Sequence, residues 1–248
     1  MCRHVGYLGP PITLAELALE QPHSLVRQAY APLDMRGGGR INADGFGFGW
    51  FPDDVGEVAR YRRATPIWSD ASLPSLARVN RSGAMLAALR NATVGMPVVE
   101  TACAPFTDDR WLFSHNGAVV GWPDSVCGLA SALPMSDLLT LDAPTDSALL
   151  WALVRQRLAA GQPPEEAVRS VVLDIDAAAP GSRLNLLLVG RTQLVASTVV
   201  HALSYWQSTS AVIVSSEPLD DSSDWVGVGD RQLLVATARD VNIYPLEG

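Results

Sequence analysis

The 248-residue chain is 48% hydrophobic and 18% charged, enough to close one continuous core without metal or disulfide staples. Its 18 basic residues are all arginine and face 26 acidic ones, for a formal net charge of −8. The missing lysine excludes a pyridoxal-phosphate Schiff base, a lysine-assisted serine and a phosphate-loop lysine, and scattered arginines give nucleic acid no basic face to bind.

In chain order, Met1 to Leu8 reads as a short strand that Gly9-Pro10-Pro11 ends at once. Thr13 and Glu16 have capping-box spacing before a helix over 13–20, and a second helix is expected over 24–30. A flexible loop, Arg36-Gly37-Gly38-Gly39-Arg40, and a turn at Asn42-Ala43-Asp44-Gly45 lead into Phe46-Gly47-Phe48-Gly49-Trp50-Phe51. That alternation predicts a strand whose glycine face lets a second sheet or a covering loop pack close, and Asp53-Asp54 turns it into a partner strand over 58–61. A helix over 72–80 precedes segments 86–93 and 111–120 and an irregular stretch to Pro144. Helices are then expected from Thr145 to about 160 and from Pro163 to about 178, followed by strands over 184–190, 193–199, 211–215, 232–236 and 241–244. Without repeat or linker, residues 2–248 form a single domain in which helices and two groups of strands share a core.

Four features carry chemistry. Cys2 would be N-terminal once the initiator methionine is removed, placing an α-amine (pKa about 8) beside a thiol (pKa about 8.5), so that no histidine is needed as base; taken alone it reads first as a small buried strand residue. Ser114-His115-Asn116-Gly117 follows the strand Trp111-Leu112-Phe113. An asparagine amide and a glycine N–H suit an oxyanion hole, Asn-Gly is also a hairpin signal, and His115 suits a base or a supporting group. In Arg90-Asn91-Ala92-Thr93-Val94-Gly95, Arg90 and Thr93 suit a carboxylate or belong to a solvated loop. In Thr145-Asp146-Ser147, Asp146 serves the helix N-terminus or receives an ammonium. The odd cysteine count (Cys2, Cys103, Cys127) and the four scattered histidines form no ligand spacing, so free thiols and neither metal nor cofactor are expected. Without an 18-residue apolar run or a leader, the chain is expected in the cytoplasm with no membrane partner.

Taken in order, Met1-Cys2-Arg3-His4, Asp44 to Trp50, Arg90 to Gly95, His115-Asn116-Gly117, Thr145-Asp146 and Ser215-Ser216-Glu217-Pro218-Leu219-Asp220 resemble the class II glutamine amidotransferase domain of the N-terminal-nucleophile hydrolases. The resemblance implies an α+β fold, a four-layer αββα sandwich of two antiparallel sheets covered by helices. It implies Cys2 as nucleophile, Asn116 and Gly117 as oxyanion hole, Arg90 and Thr93 for a glutamyl α-carboxylate, Asp146 for its α-ammonium, and His115 nearby as a substrate-site residue. Two departures stand out. Ala88 replaces a histidine found in many relatives, and Thr101-Ala102-Cys103-Ala104-Pro105-Phe106 replaces an Asn-x-His-Pro-Phe pattern, with Cys103 read as a buried small residue.

With no length left for a synthetase, a stand-alone γ-glutamyl hydrolase is expected, and the chain is similar to the branch of the family that serves ergothioneine biosynthesis. That similarity implies γ-glutamyl-hercynylcysteine S-oxide as the small-molecule substrate, its cationic leaving side met by carboxylates and by Trp50, Trp68, Trp111 or Trp122. A glutaminase subunit of a two-chain amidotransferase, a hydrolase of another γ-glutamyl compound, and a non-catalytic binding protein that retains Met1 are the alternatives. Assembly as a homo-oligomer stays open.

Overall fold

The computed structural model describes residues 2–36, 41–53 and 56–247. The tip of the expected glycine loop and Asp54 of the expected Asp53-Asp54 turn lie outside them, as does Met1. The chain runs through β1 (Arg3–Thr13), α1 (Leu14–Ala18), α2 (Leu25–Gln28), β2 (Phe46–Trp50), β3 (Ala59–Arg63), α3 (Leu73–Val79) and β4 (Arg81–Leu89). It continues with β5 (Phe106–Thr107), β6 (Leu112–Ala118), α4 (Cys127–Ala130), α5 (Met135–Leu139), α6 (Asp146–Ala159) and α7 (Pro164–Ala178). Last come β7 (Arg183–Val189), β8 (Leu194–Thr198), β9 (Ser204–Gln207), β10 (Val212–Ser215), β11 (Val226–Gly227), β12 (Gln232–Ala236) and β13 (Val241–Pro245).

The strands form two antiparallel sheets, one of seven strands in the order β11-β9-β10-β1-β4-β2-β3 and one of six in the order β13-β12-β8-β7-β6-β5. Each central strand is covered on both faces, which is why these strands read as nearly continuous apolar runs. In β4, Met85, Ala87 and Leu89 meet α1 and α3, while Ala84, Leu86 and Ala88 meet the other sheet. In β7, Leu184, Leu186 and Leu188 meet α6 and α7, while Leu187 and Val189 face inward between the sheets. The three apolar layers that result are those of the expected αββα sandwich.

Local chemistry sets the helix ends. Thr13 and Glu16 close the capping box of α1 with bonds of 3.0 and 2.6 Å. Thr145 caps α6 through Ala148 N, and Pro164 starts α7, whose buried Ala167, Val168, Val171, Val172 and Ile175 form one face. Between the sheets, a Cβ on Gly49 would stand 2.5 Å from Leu112 Cδ2, so the glycines of β2 do admit close sheet-on-sheet packing.

Four expectations need correction. β1 does not stop at Gly9-Pro10-Pro11. It continues to Thr13 with a register shift against β4 between Leu8 and Ile12, a bulge that accommodates prolines lacking an N–H. The expected helix over 24–30 is the four-residue α2. The stretch to Pro144 is partly helical, in α4 and α5. Asn116-Gly117 is not a strand end, because both residues sit inside β6, paired with Asn185 and Leu184 of β7. The short strands β5, β9 and β11 carry too few apolar residues to signal themselves in the sequence.

Candidate active site

β1 and β4 pair with Arg3 opposite Leu89, so Cys2 and Arg90 leave the seven-stranded sheet side by side. Cys2 is half-buried and shares a narrow cavity with Arg90, Ser114, His115 and Ser147, walled by Phe46, Leu89 and Phe106. Its thiol points toward the Asn91 carbonyl, 3.8 Å away.

Arg90 is largely buried, and the turn at Asp44-Gly45 holds its backbone: Arg90 N donates to Gly45 O (2.8 Å) and Asp44 N to Arg90 O (3.1 Å). The Asp44 carboxylate accepts from Ala92 N at 2.8 Å, and the Arg90 guanidinium donates to Pro97 O at 2.8 Å. Thr93 is not brought to this cavity. It is exposed on the outward turn of the same loop, its carbonyl accepting from Met96 N.

β6 supplies His115, Asn116 and Gly117. Asn116 is fully buried, and its Nδ2 donates to Ser216 Oγ at 3.4 Å. Gly117 has no room for a side chain, because a Cβ there would overlap the Arg183 carbonyl and stand 2.5 Å from His115 Nε2. His115 Nε2 lies 2.9 Å from that same carbonyl, which can only accept, so Nε2 carries the proton. His115 Nδ1 lies 3.0 Å from Ser147 Oγ. Both ring nitrogens of His115 are thereby engaged, one by Ser147 and one by Arg183.

Asp146, at the start of α6, is buried; its Oδ2 accepts from Val119 N (3.0 Å) and its Oδ1 from Ser147 N (2.7 Å). It adjoins the cavity through Ser147 rather than lining it. Deeper in, burial and the neighbouring His115, His201 and Arg3 push the His4 imidazole down to about 3, and burial and Arg183 push His201 down to about 4, so both are neutral. Among the described residues no group of three or more His, Cys, Asp or Glu side chains is gathered to hold a metal, and no helix is long and apolar enough to cross a membrane.

Residues 14–206 match the family model of class II glutamine amidotransferases. The chain belongs to that family. It is 38% identical over 246 residues to the γ-glutamyl-hercynylcysteine sulfoxide hydrolase of Mycolicibacterium smegmatis, covering 99% of this chain and 100% of the relative. It is 37% identical to the protein of the same name from Mycobacterium tuberculosis, covering 100% and 97%. Among solved structures, a glutamine aminotransferase class-II domain protein from Silicibacter pomeroyi superposes with a TM-score of 0.71 at 24% identity over the whole of both chains, a likeness of fold.

The two departures from the family pattern both fall on the cavity wall. Ala88 lines it, opposite His4 in β1 and Gly47 in β2. Cys103 is fully buried, donates to Arg63 O and Val99 O, and has its thiol pushed up to about 11 by burial, as a buried small residue. None of the four candidate tryptophans lines the cavity. Trp50 is in the core under α1–α3, Trp111 and Trp122 pack against the core under α6 and α7, and Trp68 is exposed against Tyr30. The residues that sequence reasoning passed over are hydroxyls, Ser114, Ser147 and Ser216. All three stand inside quoted motifs, and no charge or spacing sets them apart.

Proposed function

We propose that this chain hydrolyses the γ-glutamyl amide bond of γ-glutamyl-hercynylcysteine sulfoxide, giving glutamate and hercynylcysteine sulfoxide through a thioester on Cys2. The observation that carries the proposal is full-length identity of 37–38% to two hydrolases of that name. The cavity shared by Cys2, Arg90 and His115 is consistent with it.

With Met1 removed, the freed α-amine of Cys2 accepts the thiol proton and the thiolate attacks the γ-carbonyl. The oxyanion is met by Asn116 Nδ2 and Gly117 N, donors aimed where charge develops. The α-ammonium of Cys2 then protonates the leaving amine as the C–N bond breaks. Water, deprotonated by the same amine, cleaves the thioester to release glutamate. Arg90 meets the α-carboxylate and Asp146 the α-ammonium, with Thr93 joining Arg90 when its loop turns inward. No cofactor takes part, the partner is the small molecule, and the cytoplasm, which keeps thiols reduced, is the setting.

Purified protein assayed side by side with L-glutamine and γ-glutamyl-hercynylcysteine sulfoxide is expected to release glutamate far faster from the sulfoxide. Comparable or faster release from glutamine overturns the substrate assignment, and turnover retained by Cys2→Ala overturns the mechanism.

A further inference from the structure

Ser216 follows β10 at the point where that strand lies against β1, and it is buried. Its Oγ accepts from His4 N at 3.0 Å and lies 3.3 Å from His4 O, while its own N donates to His4 O at 3.0 Å. One serine side chain is thereby anchored to the backbone two residues beyond Cys2. From the other sheet, Asn116 Nδ2 approaches the same oxygen at 3.4 Å, and Asn116 Oδ1 is buried with no partner among the described residues.

Proton counting decides what this arrangement does. A serine hydroxyl has a single proton, and here Ser216 Oγ donates it to the His4 carbonyl, 3.3 Å away. Toward Asn116 the hydroxyl oxygen then offers only lone pairs. With the hydroxyl proton on His4, an asparagine amide turned the other way would set Oδ1 against those lone pairs, and the amide nitrogen accordingly faces Ser216. The NH2 group has two protons, and one suffices for Ser216. The second is left to donate elsewhere.

We propose that Ser216 is a positioning residue that selects the orientation of the Asn116 amide and registers it against the nucleophile strand. This rests on the assignment of Asn116 to the oxyanion hole above and adds the group that aims it. The strand register supplies the second half of the function. Because Ser216 holds β1 at His4 and β6 at Asn116, it ties the donor and Cys2 to each other across the two sheets by directed hydrogen bonds.

The test compares full-length Ser216→Ala and Ser216→Thr with the parent. Three readouts are used: kcat and KM for γ-glutamyl-hercynylcysteine sulfoxide, inhibition by L-glutamate, and alkylation of Cys2 by iodoacetamide followed by peptide mass. Alkylation is a displacement that forms no oxyanion, and glutamate binding needs none. Ser216→Ala is expected to lower kcat by about tenfold or more, short of the 100- to 1000-fold that follows outright loss of an oxyanion donor. KM, glutamate inhibition and the alkylation rate are expected to stay within about twofold of the parent. Ser216→Thr, which keeps the hydroxyl, is expected to recover most of kcat. Unchanged kcat in Ser216→Ala overturns the proposal, and so does a parallel loss of glutamate binding and alkylation, which marks a merely structural residue. Retained turnover by Cys2→Ala would instead strike the underlying mechanism, so the two failures are distinguishable.

Discussion

The Ser147 hydroxyl stands 3.0 Å from His115 Nδ1 and 3.3 Å from Asp146 Oδ1, joining the strand that carries Asn116 to the helix that carries Asp146. The Arg183 carbonyl holds a proton of His115 on Nε2, and the Ser147 hydroxyl donates to Asp146 Oδ1, so Ser147 stands between the ring and the carboxylate. Asp146 accepts from two backbone donors, Val119 N and Ser147 N, and from the Ser147 hydroxyl, and its remaining lone pairs stay available for a cation.

Ser147→Ala is therefore expected to cost about 1–2 kcal/mol of stability, the penalty for orphaning a buried imidazole nitrogen. Its kcat/KM is expected to fall by about tenfold, equivalent to 1.4 kcal/mol, because both β6 and Asp146 lose their common tie. Ser147→Thr keeps the hydroxyl and should recover most of both. Urea denaturation and steady-state assays decide, and a Ser147→Ala chain with parental stability and activity removes the tie from consideration.

The three thiols are free but differ in setting: Cys2 half-buried in the cavity, Cys103 buried, Cys127 exposed. Burial pushes the Cys103 thiol up to about 11, which leaves almost no thiolate at neutral pH. Iodoacetamide is expected to label Cys2 and Cys127 and to spare Cys103, with activity lost in step with Cys2 alone. Peptide mass against residual turnover reads this directly; inactivation that tracks Cys127 or Cys103 would contradict it.

What the sequence disclosed and withheld follows from the kind of force each residue answers to. Burial on both faces made the strand cores of β4, β7, β8 and β12 readable as apolar runs, and Thr13, Thr145 and Pro164 announced helix starts by local chemistry. Arg90 and His115 were legible through residue type, and both line the Cys2 cavity. Ser216 and Ser147 act through tertiary hydrogen bonds spanning 100 and 32 positions, which leave no local pattern. The long reach of β1 past Pro11 was hidden for a similar reason. It depends on a bulge against β4, a property of the pair rather than of either strand.

Gly117 offers a steric prediction. A Cβ there overlaps the Arg183 carbonyl and crowds His115 Nε2, and both neighbours are fixed by each other at 2.9 Å. Gly117→Ala is expected to cost about 1–3 kcal/mol through forced backbone and ring displacement. Activity should fall well below the folded fraction, since the displaced N–H is one of the two proposed oxyanion donors. Thermal unfolding with circular dichroism, alongside activity per folded molecule, measures both, and an alanine variant of parental stability would show that β6 yields more easily than its packing implies.

Acid sensitivity should come from the interior histidines. His4 and His201 have their folded values lowered to about 3 and about 4 by burial, from an ordinary 6.5, so the folded chain keeps both neutral where the unfolded chain protonates them. Stability is then fully present above about pH 6.5 and is lost as the pH falls toward 4. Each histidine contributes up to about 1.4 kcal/mol per pH unit across that window. Urea midpoints at pH 7, 6, 5 and 4.5 are expected to drop progressively. His201→Gln, which removes one of the two titrating groups and leaves His4, should flatten the decline by about half between pH 6.5 and 4.5. A midpoint independent of pH in that range would mean that water or movement relieves the burial of these rings, and a decline left equally steep in His201→Gln would assign the effect to other groups.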